Sequence, residues 1–205
     1  MNRRTFLGAL TPAIWRTADS PALKLPLYRV FDSRLHDERH LHHFRSTVWS
    51  EAVRDFARGG IALEATDGPG EVKFTAADRP ILNGLRRGTL NIMITGTVPM
   101  FWDAGRSVAG LTTIYEGYHV CVIAARYAHG DQAPYLSVNT CVHEMLHALM
   151  LDVFRKPPSW YQAGGRDFRI DWYATRMWLF HEGAAVQASA RTYLERLRAS
   201  APALR

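Results

Sequence analysis

The chain has 205 residues, of which 47% are hydrophobic and 21% are charged, and this length suits one domain with a sizeable core. No stretch approaches 18 consecutive apolar residues, which excludes a conventional transmembrane helix. The formal charge is +6, but 22 of the 25 basic residues are arginines, and they are spread along the whole chain. Because nucleic-acid binding needs basic residues gathered on one face, we expect no nucleic-acid partner.

The first 22 residues have the features of an export signal. Arg3 and Arg4 precede Phe6-Leu7, which is similar to the start of a twin-arginine signal, and a short apolar run follows. The sequence therefore predicts an export signal over residues 1–22, one domain over residues 23–205, and a periplasmic or extracellular location. The alternative is an ordinary basic N-terminus on a cytoplasmic protein.

Strands dominate the pattern up to residue 124. Alternating apolar positions predict strands at residues 24–31, 61–66, 71–75, 89–95, 110–115 and 118–124. Residues 67–70, Asp-Gly-Pro-Gly, predict a turn, and Glu116-Gly117 predicts a hairpin turn. The second strand of that hairpin is the more apolar one, so we expect it to be the more central.

Helical spacing is found both between these strands and after them. It predicts a long amphipathic helix from about residue 37 to 58, ended by Gly59-Gly60, and a short helix within residues 76–87. A helix around residue 145 is expected to be capped by Ser137, Asn139 or Thr140. A last helix is predicted from residue 171 to 197, with Gly183 as the point where it can bend. Strands followed by helices predict an α+β fold built on a twisted mixed β-sheet.

Residues 143–147 form the pattern His-Glu-x-x-His, the most specific feature of the chain. At about 100° per residue, His143 and His147 lie one helical turn apart on the same face, so two imidazoles can bind one cation. An apolar stripe at helical spacing flanks them: Val142, Met145, Leu146, Leu149 and Val153. Burying two histidines beside the Glu144 carboxylate is costly unless they have partners, and a metal satisfies the imidazoles. The pattern therefore predicts a metal site.

We interpret six further histidines as solvated or structural residues. One cluster mixes with Asp, Glu and Arg near the start of the long helix, which is typical of a solvated face; it comprises His36, His40, His42 and His43. His119 and His129 lie outside any ligand spacing. Cys121 and Cys141 are expected to be two buried free thiols, although an exported protein also allows a disulfide between them.

The motif and the order of the elements resemble the zincin metallopeptidases over roughly residues 24–200. Met150 and Val153 stand where the metzincin group has Gly and His, which excludes that group. Residues 182–185, Glu-Gly-Ala-Ala, resemble the Glu-Gly-x-Ala pattern of the gluzincin third-ligand helix, and small residues at 183 and 184 are expected where this helix approaches the ligand helix. The resemblance implies a zincin-like fold with a mixed sheet, a long packing helix, the ligand helix and a C-terminal helix.

The resemblance also implies one zinc ion per chain, with His143, His147 and Glu182 as its ligands. His181 is the alternative third ligand. Asp152 is a poorer candidate, since nine residues of helix place it about half a turn out of phase with His143.

Three protein ligands leave one position for water, whose pKa the zinc lowers toward about 7, and Glu144 is then the natural general base. His181, Tyr173 and Tyr193 are candidates for stabilising the oxyanion. We therefore expect a zinc peptidase that acts on a peptide or protein substrate. The alternative is a zinc-binding protein of zincin fold without proteolytic activity, either a binding module or a hydrolase of another bond. The sequence carries no signal for the oligomeric state or for cleavage specificity.

Overall fold

The computed structural model describes most of residues 22–124 and parts of the chain beyond them. The described residues are 22–32, 35, 38–74, 80–96, 98–99, 107–108, 110–124, 138–150, 176, 179–180 and 183–201. Residues 1–21 of the predicted export signal lie outside them, and the signal stays a prediction. Within the described parts, no helix combines the length and apolarity that a membrane span requires.

The described elements are mixed α and β, as the sequence predicts. The strands are β1 (Leu23–Asp32), β2 (Ile61–Phe74), β3 (Pro80–Asn83), β4 (Leu90–Thr95), β5 (Val98–Pro99), β6 (Ser107–Val108), β7 (Gly110–Tyr115) and β8 (Tyr118–Ala124). The helices are α1 (Glu38–His43), α2 (Ser50–Arg58), α3 (Val138–Met150) and α4 (Gly183–Ser200). β5 and β6 form a separate two-stranded pair.

Six strands form one mixed sheet in the order β3-β2-β1-β4-β8-β7. The four inner strands are parallel to one another, and β3 and β7 pair antiparallel at the two edges. All six residues of β4 are buried, because it lies in the middle of the sheet with neighbours on both sides. The β7–β8 hairpin and the inner position of β8 confirm the prediction; Glu116 (φ 48°) and Gly117 (φ 79°) have the paired positive φ values of a type I′ turn.

The long helix at residues 38–58 is confirmed, and it contains an unpredicted π-helical segment, Phe44–Trp49, between α1 and α2. Its buried apolar side chains are spaced four residues apart: Phe44, Val48, Ala52 and Phe56. In a regular α-helix each such step drifts by about 40° around the axis. The wider π turn reduces this drift, so all four side chains can face the sheet.

The predicted turn at residues 67–70 is wrong, because β2 continues through it to Phe74. A Cβ at Gly68 would overlap the hydroxyl of Tyr28, and a Cβ at Gly70 would overlap Val30, both on the neighbouring strand β1. These glycines therefore make room for large side chains of β1 rather than forming a turn.

The predicted short helix within residues 76–87 is also wrong in its described part, where Pro80–Asn83 is β3. Leu82 pairs with Val72 and is buried, whereas the neighbouring Ile81 is 42% exposed. This alternation is that of an edge strand. Pairing with the end of β2 thus overrides a weak helical pattern of three apolar residues.

The four helices in the described part of the chain border one face of the sheet, where the larger core lies. That core joins side chains of the long helix, α3 and α4 to β1, β4 and β8. A smaller core covers the opposite face and includes Val30, Met93 and Val122. α3 contacts both strands of the hairpin, β7 and β8, which brings the His-Glu-x-x-His residues to the edge of the sheet.

Candidate metal centre

α3 carries the three motif residues and buries nearly all of its surface. Its described side chains are buried except for four that are partly exposed: Val138, Asn139, His143 and His147. Because residues 139, 143 and 147 follow each other at intervals of four, they form one accessible stripe along the helix. The helix begins at Val138, so Asn139 and Thr140 are not its caps, and Ser137 lies outside the described residues.

The two histidine rings point their Nε2 atoms at each other. These atoms are 2.9 Å apart, and the rings are nearly perpendicular, with centroids 4.5 Å apart. Two Nε2–H groups would repel in this arrangement, so at most one of the two Nε2 atoms carries a proton. Burial lowers the pKa of His147, which favours the neutral imidazole that binds metals.

The donor geometry fits a first-row metal ion. A cation about 2.05 Å from both Nε2 atoms would form an N–metal–N angle of about 90°, and a tetrahedral angle would need a separation of roughly 3.3 Å. The rings would therefore have to part by only a few tenths of an ångström. Neutral imidazole is a common zinc ligand, so the chemistry of the donors also fits.

Glu144 is 6% exposed and lies against the edge strand β7. The hydroxyl of Thr112 donates a hydrogen bond to Glu144 Oε2 at 2.7 Å and lies 2.9 Å from the Glu144 backbone oxygen. Burial raises the pKa of the Glu144 carboxyl to about 7, although the bond from Thr112 acts in the opposite direction. A carboxyl with a pKa near neutrality can both accept and release a proton at physiological pH.

Thr112 and Gly110 were not predicted as site residues. Both lie on β7, two residues apart and hence on the same face of the strand. A Cβ at Gly110 would come within 2.7 Å of Glu144 Cδ and Oε1. The sequence contains no local signal for these contacts, because they depend on how the hairpin packs against α3.

The two cysteines are free and buried, as expected. The thiol of Cys121 donates to the backbone oxygen of Glu144 at 3.3 Å. Burial raises the pKa of both thiols, that of Cys141 to about 12, so both are protonated and unreactive at neutral pH.

The structure brings together His143, Glu144 and His147, but it does not describe Glu182 or the alternative ligand His181. Among the described residues, no group of three or more His, Cys, Asp or Glu side chains forms a metal site. Glu182 as a third ligand therefore stays a prediction. Of the candidates for stabilising the oxyanion, Tyr173 also lies outside the described residues.

Tyr193 is buried in α4, where its ring packs edge-to-face on His119 at 5.0 Å. His119 therefore has the structural role that was expected. The contact is part of the core between α4 and β8, which makes Tyr193 a poor candidate for contacting a substrate.

The expected role of the glycine at position 183, close approach to the ligand helix, has no support among the described residues. The described atoms within 4 Å of a Cβ at Gly183 belong to Gly59, which follows α2, and not to the ligand helix α3. The nearest, Gly59 Cα, would be 3.7 Å away. This is an ordinary van der Waals distance, so the described residues around position 183 do not require a glycine there.

Compared with known proteins, the chain matches no family model and no curated protein sequence.

Proposed function

We propose that the protein is a zinc-dependent peptidase of the zincin type, which hydrolyses peptide bonds with Glu144 as general base. One observation carries the proposal: the Nε2 atoms of His143 and His147 converge at 2.9 Å on the accessible stripe of α3, beside a buried carboxylate. Ligand atoms and a proton acceptor are thus adjacent at the edge of the sheet.

The zinc would be held by His143, His147 and Glu182. Glu182 is three residues after Leu179 and four before Val186, which is the spacing of residues that share a helical face. Leu179 and Val186 are both buried in the core that includes α3. This spacing supports Glu182 over His181, which is offset by about 100° from it.

When bound, the zinc would supply Lewis-acid chemistry by making water more acidic and by polarising the scissile carbonyl. Glu144 accepts a proton from the attacking water as the new O–C bond forms. It then delivers that proton to the amine nitrogen as the C–N bond breaks, so one water is consumed for each bond cleaved. A pKa raised to about 7 suits both steps.

The architecture supports a zincin-type fold. A mixed sheet ends in an antiparallel edge strand, and the ligand helix packs against that strand and its neighbour. The long helix lies on the same face of the sheet, as in the arrangement that the resemblance implies.

The test compares wild type with Glu144→Gln, using Glu195→Gln on the exposed side of α4 as the matched control. We expect about one zinc per chain in all three proteins. Glu144→Gln should lose cleavage of a random peptide library by at least about a hundredfold, since only the proton acceptor is removed.

Full zinc content with no cleavage by wild type would favour the alternative, a zinc-binding protein without proteolytic activity. Full zinc content after replacing both His143 and His147 with Ala would refute the metal centre itself.

A further inference from the structure

We propose that Gly110 and Thr112 of β7 position the Glu144 carboxylate: Thr112 fixes one oxygen by a hydrogen bond, and Gly110 leaves the space that the other oxygen occupies. The inference rests on the proposed function, in which Glu144 transfers the proton. The edge strand β7 would thus contribute to the reaction through residues that lie outside the His-Glu-x-x-His motif.

The hydrogen bonds around Thr112 determine where its one proton goes. Its Oγ1 lies within hydrogen-bonding distance of both the backbone oxygen and Oε2 of Glu144, at 2.9 and 2.7 Å. The thiol of Cys121 already donates to that backbone oxygen. A third possible acceptor, Cys121 Sγ, lies 3.6 Å away. The contact with Oε2 is the shortest of the three, and a hydrogen bond to an ionised carboxylate is the strongest, so the Thr112 proton goes to the carboxylate.

Gly110 acts by the absence of a side chain. A Cβ there would lie 2.5 Å from Glu144 Cγ and 2.7 Å from both Cδ and Oε1, which is closer than real Cβ contacts come. The atoms that would have to move belong to the carboxylate itself, so an alanine displaces the group on which the reaction depends. Gly110 has no positive φ among the described backbone angles, so the requirement is for space and not for backbone conformation.

Together the two residues select one orientation of a flexible side chain. With Oε2 held by Thr112, Oε1 is the oxygen left to accept a proton from water. Holding a reacting group in its productive orientation raises the rate of the chemical step without changing substrate affinity. A purely structural role predicts something different, namely lower stability with an unchanged turnover rate in the folded protein.

The first experiment measures kcat and KM on the best-cleaved member of the random peptide library, with zinc content determined for each protein. Thr112→Val keeps the shape but loses the hydroxyl, and we expect kcat to fall roughly tenfold to a hundredfold while KM and zinc content change little. Thr112→Ser keeps the hydroxyl donor, so its kcat should stay within about threefold of the wild-type value. Gly110→Ala should lower kcat as Thr112→Val does, also with zinc retained.

Thr113→Val is the matched control, because Thr113 is the next residue of β7 and faces the other side of the strand. In the part of the chain that the structure describes, its hydroxyl lies 3.5 Å from the backbone oxygen of Ile114. We expect kcat to be unchanged. If Thr112→Val turns over as fast as wild type, the positioning role is wrong while the peptidase function stands.

The second experiment needs no activity. A double-mutant cycle of Thr112→Val and Glu144→Met, which leaves no side-chain oxygen to accept the bond, should give a coupling of about fivefold in the unfolding constant when measured by urea unfolding of the chelator-treated protein. The same cycle with Thr113→Val should give none. Absence of coupling would overturn the Thr112–Glu144 contact whatever the activity. If the cycle shows coupling but the wild-type protein cleaves no peptide, the peptidase function is wrong and the Thr112–Glu144 contact is established.

Discussion

At the scale of single residues, His119 illustrates how packing changes the charge of a histidine. Its ring lies edge-to-face on Tyr193, which is buried in α4. Burial lowers the pKa of His119 below its ordinary value of 6.5, and the positive charge of Arg196 lowers it further. The folded protein therefore holds this imidazole neutral at pH values where the unfolded chain binds a proton.

This shift gives a prediction for stability against pH. Between the lowered pKa and about 6.5 the unfolded state binds more protons, so the free energy of unfolding falls as the pH falls through that window. Replacing His119 with Phe keeps an aromatic ring beside Tyr193 and should flatten this part of the curve. Urea unfolding at pH 5, 6 and 7 checks it. His119→Gln should flatten the same window despite losing the ring, and an unchanged slope in both variants would contradict the assignment.

The metal-centre residues differ in how far the sequence reveals them. His143, Glu144 and His147 are predictable because helical spacing is a local property that places them on neighbouring positions of one turn. Thr112 is not, because its contact with Glu144 spans 32 positions of sequence and depends on the register of the hairpin. Thr112 is an ordinary residue type for a strand, and a glycine at the first position of a strand is not specific for a close contact, so only the packing of β7 against α3 identifies them.

At the scale of elements, hydrogen bonds attach Arg176, before α4, and Gln187, within α4, to the C-terminal end of the long helix. Asp55 of α2 is fully buried and accepts hydrogen bonds from both Nε and Nη2 of Arg176. The amide of Gln187 donates to the Gly59 backbone oxygen at 2.8 Å. Arg176 and Gln187 are therefore both attached to the C-terminal end of the long helix.

The ion pair with Asp55 should matter more than the neighbouring one with Glu51. Arg176→Met removes the main partner of a buried carboxylate, and we expect the free energy of unfolding to fall by roughly 2–4 kcal/mol. Glu51→Gln breaks the partly exposed pair with Arg176, which is 3.2 Å long, and should cost about 1 kcal/mol or less. Urea unfolding of the two variants compares them directly. Equal losses in the free energy of unfolding of the two variants would show that the burial of Asp55 does not make its ion pair with Arg176 the stronger one.

Elements were predictable where the local pattern agreed with the tertiary structure. The alternation at residues 90–95 and the turn at Glu116-Gly117 gave the right strands, since both act within a few residues. The glycines at 68 and 70 led to a wrong turn because local turn chemistry and close packing against β1 favour the same residue type. The strand at Pro80–Asn83 was missed because its pairing with β2 outweighs its own weak pattern.

At the scale of the whole molecule, the metal centre would join parts of the chain that are far apart in sequence. α3 follows the sheet, whereas Glu182 directly precedes α4, and the two helices share one core. A ligand that binds only the folded state stabilises it by mass action. Zinc would therefore add a second connection between these helices, beyond their apolar contact, and removing it should be visible as a loss of stability of the whole fold.

Thermal unfolding with and without chelator therefore tests the third ligand without any need for a substrate. At a free zinc concentration about a hundredfold above Kd, the metal should contribute about 2.7 kcal/mol, which for a chain of this length raises Tm by roughly 5–10 °C. His143→Ala should abolish most of this rise, because it removes a ligand on α3. Glu182→Ala should do the same, whereas His181→Ala should keep the rise, since position 181 is offset from the buried spacing of Leu179 and Val186. A rise that survives Glu182→Ala but disappears with His181→Ala would make His181 the third ligand.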